Sequence, residues 1–455
     1  MVFSSALFLF IFLPVTIAVY FLLPGVKLKN YWLFVVSLLF YAWGEPVYIC
    51  LMVGSIVFNY FCARVMDSRS TATAKKRFLV FDIVVNIALL VCFKYLDFII
   101  VNINAVLQTN IQPVHLSLPI GISFYTFQIL SYVVDVYRGT VPVQNSIVKL
   151  GVYISLFPQL IAGPIVRYEV IARELDSRTV SLDDVYEGCR QFIYGLTKKV
   201  ILADTVSGIA DAAFSMTNLN CLFAWMGIVA YTLQIYFDFS GYSDMAIGLG
   251  RIFGFHFNHN FNYPYISASP QEFWRRWHIS LSTWFRDYVY IPLGGSRISS
   301  VRTYVNKFAV FFLTGLWHGA SWNFVVWGLF HGIMLIIDDN LKQYGKFKFN
   351  KFSTMLCVMI AWVFFRAADL HAALAYIKTM FSFSTVGMWS ALGFFTQESA
   401  MALLLALLLS TPLYERIKDK VVFRRFEPVY LFMLFVLSLS YVMGVGFSPF
   451  LYFRF

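Results

Sequence analysis

Charged residues are scarce in this sequence. Asp, Glu, Lys and Arg make up 13% of its 455 residues, whereas 59% are hydrophobic and 19% are aromatic. A soluble protein carries about 25% charged residues, so the composition excludes an ordinary soluble domain. Apolar runs of about 20 residues predict membrane-spanning helices, not the shorter strands of a β-barrel. We therefore predict an all-α integral membrane protein that crosses the bilayer several times.

Acidic residues are fewer than basic ones, and the net charge is +11. In a soluble protein this excess could suggest nucleic-acid binding. Here Lys and Arg cluster in short loops, where they indicate the cytoplasmic side of a membrane. We predict contacts with membrane lipids and no nucleic-acid partner.

The first apolar run, 3–23, lacks the basic segment and cleavage site of a signal peptide, so it is interpreted as a span.

The sequence also lacks common catalytic and metal-binding motifs. Gly294 and Gly295 are not followed by the lysine of a phosphate-binding loop, and neither G-x-S-x-G nor H-E-x-x-H occurs. His256 and His259 match no zinc spacing, so we predict no metal. The cysteines stand singly, which predicts small buried residues and excludes a disulfide framework. They are Cys50, Cys62, Cys92, Cys189, Cys221 and Cys357.

Several apolar runs are too long or too broken for one simple span. The run 78–107 contains Lys94 and Asp97, and 151–164 contains two prolines that suit a re-entrant segment. The run 222–239 ends in Asp238, and 308–337 should break at the Gly-Ala-Ser that follows His318. We predict one domain, 1–455, of about ten to twelve spanning or re-entrant helices.

The stretch 271–288 predicts an amphipathic helix lying in the membrane interface. Its aromatic residues share one face and its polar residues share the other, with His278 at the edge of the polar face and Ile279 as an exception. The polar face consists of Gln271, Glu272, Arg275, Arg276, Ser282, Arg286 and Asp287. The aromatic and apolar face consists of Phe273, Trp274, Trp277, Leu281, Trp284, Phe285 and Tyr288.

His318 is the strongest catalytic candidate because an ionisable residue inside an apolar run is a functional hypothesis by default. A neutral imidazole could take a proton from a hydroxyl that attacks an activated acyl carbon. The alternative is a histidine that hydrogen-bonds a neighbouring helix. His331 would point about 220° away on a continuous helix, so packing is favoured for it. His278 could orient an acyl donor or be an ordinary interface residue.

Five cations could hold the phosphates of an acyl donor at the cytoplasmic face. Contact with lipid headgroups is an equal alternative for each of them. The five are Arg275, Arg276, Arg286, Lys198 and Lys199.

Two stretches carry a resemblance to a known family, namely FWRRWHISLSTWFRDYVYIPLGG and LTGLWHGASWNFVVWGLFHG. They resemble the membrane-bound O-acyltransferase (MBOAT) family, in the bacterial branch of AlgI, the peptidoglycan O-acetyltransferases and DltB. LPIGISFYTFQILSYVVDVYRG, FPQLIAGPIVRY and YTLQIYFDFSGYSDMAIGLG resemble the same branch. The resemblance implies helices around a central tunnel, with His318 as the family's invariant histidine and His278 as its second one.

The reaction implied by the resemblance is acyl transfer across the bacterial cytoplasmic membrane. No cofactor would be bound permanently. The donor would be acetyl-CoA or an acyl-carrier thioester, and the acceptor a polysaccharide outside the cell. An extracytoplasmic partner of the SGNH type, or one like AlgX or DltD, would complete the transfer. The alternatives are D-alanyl transfer to teichoic acid and, in another class, a transporter without bond chemistry.

The chain ends in Ser-Pro-Phe-Leu-Tyr-Phe-Arg-Phe. These aromatic residues could anchor the tail at the membrane interface, or the tail could dock into the protein. Tyr452 would then be an acyl relay, because a phenol with a pKa of about 10 gives an ester that remains activated. The ending also resembles the F-x-Y-F-x-F tail of the same branch and of the small DltX protein, in which the tyrosine is the implied acyl carrier.

Overall fold

The chain is helical throughout the part that the structure, a computed structural model, describes. That part comprises residues 1–161, 163–345, 348–382, 396–417, 421–444 and 450–451, and it contains no strand. The predicted all-α class is therefore confirmed.

Twenty α-helices, several of them extended by π- or 3₁₀-helical turns, are found in these described residues. They are α1 Leu13–Leu22, α2 Gly25–Gly44, α3 Ile49–Asp67, α4 Ala72–Leu107, α5 Ile122–Arg138, α6 Ile147–Ser155, α7 Phe157–Leu160, α8 Tyr168–Asp176, α9 Leu182–Thr197, α10 Asp204–Ser215, α11 Cys221–Ile252, α12 Pro270–Arg276, α13 Ile279–Phe285, α14 Ser300–His318, α15 Trp322–Tyr344, α16 Lys351–Arg366, α17 Leu370–Met380, α18 Gln397–Leu409, α19 Leu413–Ile417 and α20 Val421–Gly444. The π-helical turns are Phe8–Phe12, Lys198–Ala203 and Arg286–Tyr290, and the 3₁₀ turn is Pro264–Ile266.

Five of the described helices are long and apolar enough to cross a bilayer. They span Ile49–Asp67, Ala72–Leu107, Cys221–Ile252, Trp322–Gln343 and Arg425–Gly444, and two shorter apolar helices are Phe8–Leu22 and Gln397–Leu409. A multi-pass membrane protein is confirmed. The count of ten to twelve helices and the central tunnel stay predictions.

The chain divides into two compact units. The first comprises Met1–Phe192 and Ser243–Asn258, and the second comprises Ile193–Tyr242 and His259–Phe455. The single domain 1–455 stays a prediction.

In the first unit, α4 is one continuous helix of 36 residues, so Lys94 and Asp97 interrupt the apolar run without ending the helix. Both side chains find partners without breaking the helix. Lys94 donates to the Ser123 hydroxyl at 3.2 Å, and the Asp97 carboxylate accepts the backbone N–H groups of residues 114 and 115. The predicted break in 151–164 is confirmed, because α6 ends at Ser155 and Leu156 leaves the helical conformation, with ψ of 114°.

In the second unit, α14 and α15 form a hairpin, and the predicted break after His318 is confirmed. Two glycines allow the helices to approach closely. A Cβ at Gly315 would lie 2.3 Å from the Phe324 carbonyl oxygen, and one at Gly328 would lie 2.2 Å from that of Phe311. This close approach brings the last turns of α14 against the first turns of α15.

The predicted helix over 271–288 is wrong as a single element. It breaks at Trp277 and His278, where His278 has a left-handed backbone with φ of 42°. Ser269 caps the first half by accepting the Glu272 N–H, and Glu272 accepts the Ala268 N–H in return. The aromatic face is buried in protein apart from Tyr288, so most of it covers a core and not the membrane interface.

Candidate active site

His318 is the last residue of α14 and is buried among aromatic rings. Its ring centroid lies 4.8 Å from Trp327 on α15 and 5.1 Å from Phe365 on α16, both in edge-on contacts. The neighbouring Trp317 lies 4.9 Å from it. Three helices therefore hold the imidazole in a largely apolar surrounding.

His278 is fully buried at the break between α12 and α13, not at the edge of a helix. Its Nδ1 lies 3.2 Å from Asn260 Oδ1, which also accepts the backbone N–H and the hydroxyl of Ser280. Because that amide oxygen can only accept, Nδ1 carries the proton and Nε2 keeps its lone pair. Nε2 has no hydrogen-bond partner among the described residues. Burial lowers the pKa of His278 to about 3, so the ring is neutral at pH 7.

His331 lies closer to His318 than the continuous-helix argument suggested, because the hairpin folds α15 back along α14. Trp327 contacts both histidines, at 4.8 Å from His318 and 5.0 Å from His331. The Trp274 indole N–H donates to His331 Nδ1 at 3.3 Å. The proton of His331 must therefore reside on Nε2, which has no partner among the described residues.

These contacts form one continuous set, which we call the histidine–tryptophan cluster. Trp317 links its two predicted catalytic residues, since it lies 5.9 Å from His278 and is adjacent to His318. The members are Trp274, His278, Trp317, His318, Trp327 and His331. A buried imidazole that is neutral in the resting state avoids the cost of a buried charge. It can still accept or donate a proton during a reaction.

A cavity of about 490 Å³ lies beside the cluster in the same unit. Trp274 lines it together with apolar residues of α13 and α14. Arg275, Arg286 and Lys307 give it a basic part. An elongated ligand with an apolar arm and an anionic group would suit this lining.

The five candidate donor-binding cations have different surroundings. Arg275 and Arg286 line the cavity, and Arg275 is exposed with no ion pair in the described part of the chain. Arg286 pairs with Asp287, and Arg276 pairs with Glu272 at 2.9 Å. Lys198 is half-buried on another element, and Lys199 is fully buried between two carboxylates. The two carboxylates already neutralise the charge of Lys199, so the proposed donor site does not include this residue.

Phe450 and Leu451, near the chain end, are both buried. For these two residues the docked alternative is favoured over an exposed interface anchor. Tyr452 lies outside the described residues, and its role stays a prediction.

The cysteine prediction is wrong for most positions. All six thiols are free, but only Cys62 is buried. Cys50 and Cys92 lie on outward faces of the spans α3 and α4, where a small apolar side chain suits lipid.

Within the described residues no group of three or more His, Cys, Asp or Glu side chains could hold a metal. His256 contacts the Glu174 carboxylate at 2.7 Å.

Sequence reasoning missed the residues that orient the histidines. Asn260 fixes the tautomer of His278 from 18 positions away, and Trp274 fixes that of His331 from 57 positions away. The sequence offered only composition as a signal, because Asn260 lies in a segment rich in Asn and aromatic residues and Trp274 lies in one rich in aromatic residues. Such a signal does not identify a pair.

The helices and the buried cluster define a multi-pass membrane protein with a histidine site of acid–base character. The profile of the membrane-bound O-acyltransferase family matches residues 142–377, which is more than half of the chain. The chain therefore belongs to this family of acyltransferases.

Known relatives extend over most of the sequence. The chain is 45% identical over 394 residues to the probable alginate O-acetylase AlgI of Pseudomonas aeruginosa, covering 85% of this chain and 76% of that one. It is 37% identical to a peptidoglycan O-acetyltransferase of Helicobacter pylori, covering 85% and 81%. A teichoic acid D-alanyltransferase of Bacillus subtilis is 28% identical, covering 56% and 69%.

Proposed function

We propose that this protein is an O-acetyltransferase that moves an acetyl group from a cytoplasmic thioester, acetyl-CoA, to a cell-surface or secreted polysaccharide. The observation that carries the proposal is His318, buried in the histidine–tryptophan cluster of a chain 45% identical to a probable alginate O-acetylase. D-alanyl transfer is the weaker alternative, because that similarity is 28% and covers 56% of the chain.

The donor is proposed to enter the cavity beside the cluster. Arg275 and Arg286 would contact its phosphates, while the apolar lining from α13 and α14 would receive its pantetheine arm. Trp274 lines this cavity and also bonds His331, so the bound thioester would lie against the cluster.

The proposed acceptor of the first step is the phenol of Tyr452. His318 takes the phenolic proton while the oxygen forms a bond to the acetyl carbon. The C–S bond breaks, and the leaving thiolate takes the proton back from the imidazolium. In the second step a hydroxyl attacks the aryl ester, the acetyl group passes to that hydroxyl, and its proton returns to the phenol.

The proposed place of action is the bacterial cytoplasmic membrane, with the polymer on the outer side. The second hydroxyl would belong to an extracytoplasmic partner of the SGNH type, or one like AlgX or DltD. Such a partner would carry the acetyl group to the polymer, so that the polymer itself would not have to reach the buried cluster.

The test uses inside-out membrane vesicles that contain the full chain. Radiolabelled acetyl-CoA should transfer label to the protein or to added partner, whereas a D-alanyl carrier thioester should not. Mass spectrometry of surface polymer from cells with and without the gene then identifies the ester. Transfer from the D-alanyl carrier alone would overturn the acetyl assignment.

Replacing Tyr452 by Phe tests the relay, because the change keeps the ring and removes only the hydroxyl. Polymer acetylation should fall to background, and the labelled C-terminal peptide should disappear. Adding Phe453→Tyr to the Tyr452→Phe variant restores a phenol one position away and serves as a control for position. Normal acetylation in the Tyr452→Phe variant would show that acyl transfer does not pass through this residue.

A further inference from the structure

The second compact unit contains a buried group of three charged side chains that the proposed chemistry does not use. Lys199 Nζ lies 2.6 Å from Asp204 Oδ1 and 2.7 Å from Asp238 Oδ1. Lys199 and Asp238 are almost completely buried, whereas Asp204 is partly exposed. We call Lys199, Asp204 and Asp238 the ion cluster.

The ion cluster holds the chain end directly. The backbone N–H of Leu451 donates to Asp238 Oδ2 at 2.8 Å, so one carboxylate binds Lys199 with one oxygen and the tail with the other. Lys199 also lies over the Phe450 ring at 4.9 Å. Tyr242, one turn along α11 from Asp238, contacts the same ring edge-on at 4.5 Å.

Burial of such an ion pair is costly unless each charge is satisfied. Lys199 has two carboxylate partners, and Asp238 has a cation and a backbone donor. Apolar contacts alone could hold a C-terminal segment without the desolvation cost of buried charges, but they would not fix which residue lies at which position. A backbone N–H bonded to a buried carboxylate sets the position of one particular residue along the tail.

The same helix connects this contact to the histidine–tryptophan cluster. Phe239 follows Asp238 on α11, and its ring lies edge-on against His278 with centroids 4.7 Å apart. Adjacent residues of one helix therefore bind the tail and touch a predicted catalytic histidine.

We propose that Lys199 and Asp238 are positioning residues, which hold the tail at Leu451 so that the following residue is presented for acyl transfer. The role in transfer rests on the proposed function, whereas the holding of Leu451 does not. Lys199, a donor-binding candidate by sequence, thereby acts on the chain's own end and not on a bound phosphate.

The first test changes only the tail. Leu451→Pro has no N–H to donate to Asp238 and leaves the ion cluster intact, whereas Leu451→Ala also loses the leucine side chain but keeps the N–H. Carboxypeptidase digestion of the purified full chain, read by mass spectrometry, should release residues 453–455, which come before the enzyme reaches the substituted position, at least about tenfold faster in the Pro variant than in the Ala variant. Equal trimming rates would overturn the proposal.

The second test changes the ion cluster without leaving an orphaned buried lysine. Lys199→Met combined with Asp238→Leu removes both charges and the acceptor, whereas Lys199→Met combined with Asp238→Asn keeps an acceptor for the Leu451 N–H. The first pair should free the tail and lower kcat by about 100-fold, as expected for a misplaced reacting group, with KM for acetyl-CoA unchanged. Asp211→Asn, at an exposed ion pair with Arg366, is the control for charge loss alone.

Activity and trimming together separate this proposal from the relay. Faster trimming with a lower kcat supports positioning, and faster trimming with an unchanged kcat overturns it. If Tyr452→Phe is fully active, the relay fails together with the role in presenting that residue, and faster trimming of Leu451→Pro then supports only the holding of Leu451 by the ion cluster.

Discussion

The histidine–tryptophan cluster and the ion cluster are both buried in the second compact unit. They differ in charge and in whether their polar atoms have hydrogen-bond or ion-pair partners. The ion cluster has a partner for each charge, including the Leu451 N–H. The histidine cluster is neutral at His278, and one ring nitrogen each of His278 and His331 has no partner among the described residues. Fully satisfied groups fix a position, whereas unsatisfied donors and acceptors are available to a substrate.

The comparison predicts that changes in the histidine cluster act mainly on chemistry. The largest effect should come from His318→Ala, because a buried general base contributes about 10²–10⁴-fold to rate. Polymer acetylation, measured by ester release and mass spectrometry, should be lost while the protein still accumulates in the membrane. Near-normal acetylation would remove His318 from the mechanism.

His278→Asn should have the next largest effect. Asn is one of the few residues that tolerates the left-handed backbone at this position, where φ is 42°, so the fold should be kept. Loss of the Nε2 atom, which has no hydrogen-bond partner among the described residues, should lower the rate by about 100-fold, the low end of acid–base contributions. Higher acetyl-CoA concentrations would restore the rate only if His278 served donor binding, which distinguishes the two roles.

The sequence predicted the parts of both clusters that depend on local pattern. His318 was identified by its place in an apolar run, and the Gly-Ala-Ser after it predicted the hairpin. The ion cluster could not be predicted, because Lys199 meets Asp238 from 39 positions away and Leu451 from the chain end. The predicted end of a span at Asp238 was wrong because the sequence does not show that this carboxylate pairs with Lys199. A carboxylate paired in this way can stay inside a helix, and α11 continues to Ile252.

Arg275 and Arg276 offer the same comparison at the cavity. Arg275 has no ion pair among the described residues, whereas Arg276 pairs with Glu272. Arg275→Ala should raise KM for acetyl-CoA by about tenfold, the equivalent of one charge-assisted hydrogen bond of about 1.5 kcal/mol. Arg276→Ala is the matched control, because that side chain is already bound to Glu272 and does not line the cavity. Equal changes in KM would indicate a general effect of charge at this surface.

The smallest effect concerns pH and compares the neutral His278 with its Asn variant. Because burial lowers the pKa of His278 to about 3, the unfolded chain, with a pKa of about 6.5, takes up the proton first as pH falls. The stability that neutral His278 contributes is thus complete above about pH 6.5 and is lost as pH falls towards 3. The loss amounts to about 1.4 kcal/mol per pH unit below 6.5. Apparent unfolding temperatures in detergent at pH 7.5, 6.0 and 5.0 should therefore fall more steeply for the native chain than for His278→Asn, which cannot titrate. Parallel pH dependences would mean that the fold does not lower the pKa of His278 below its value in the unfolded chain.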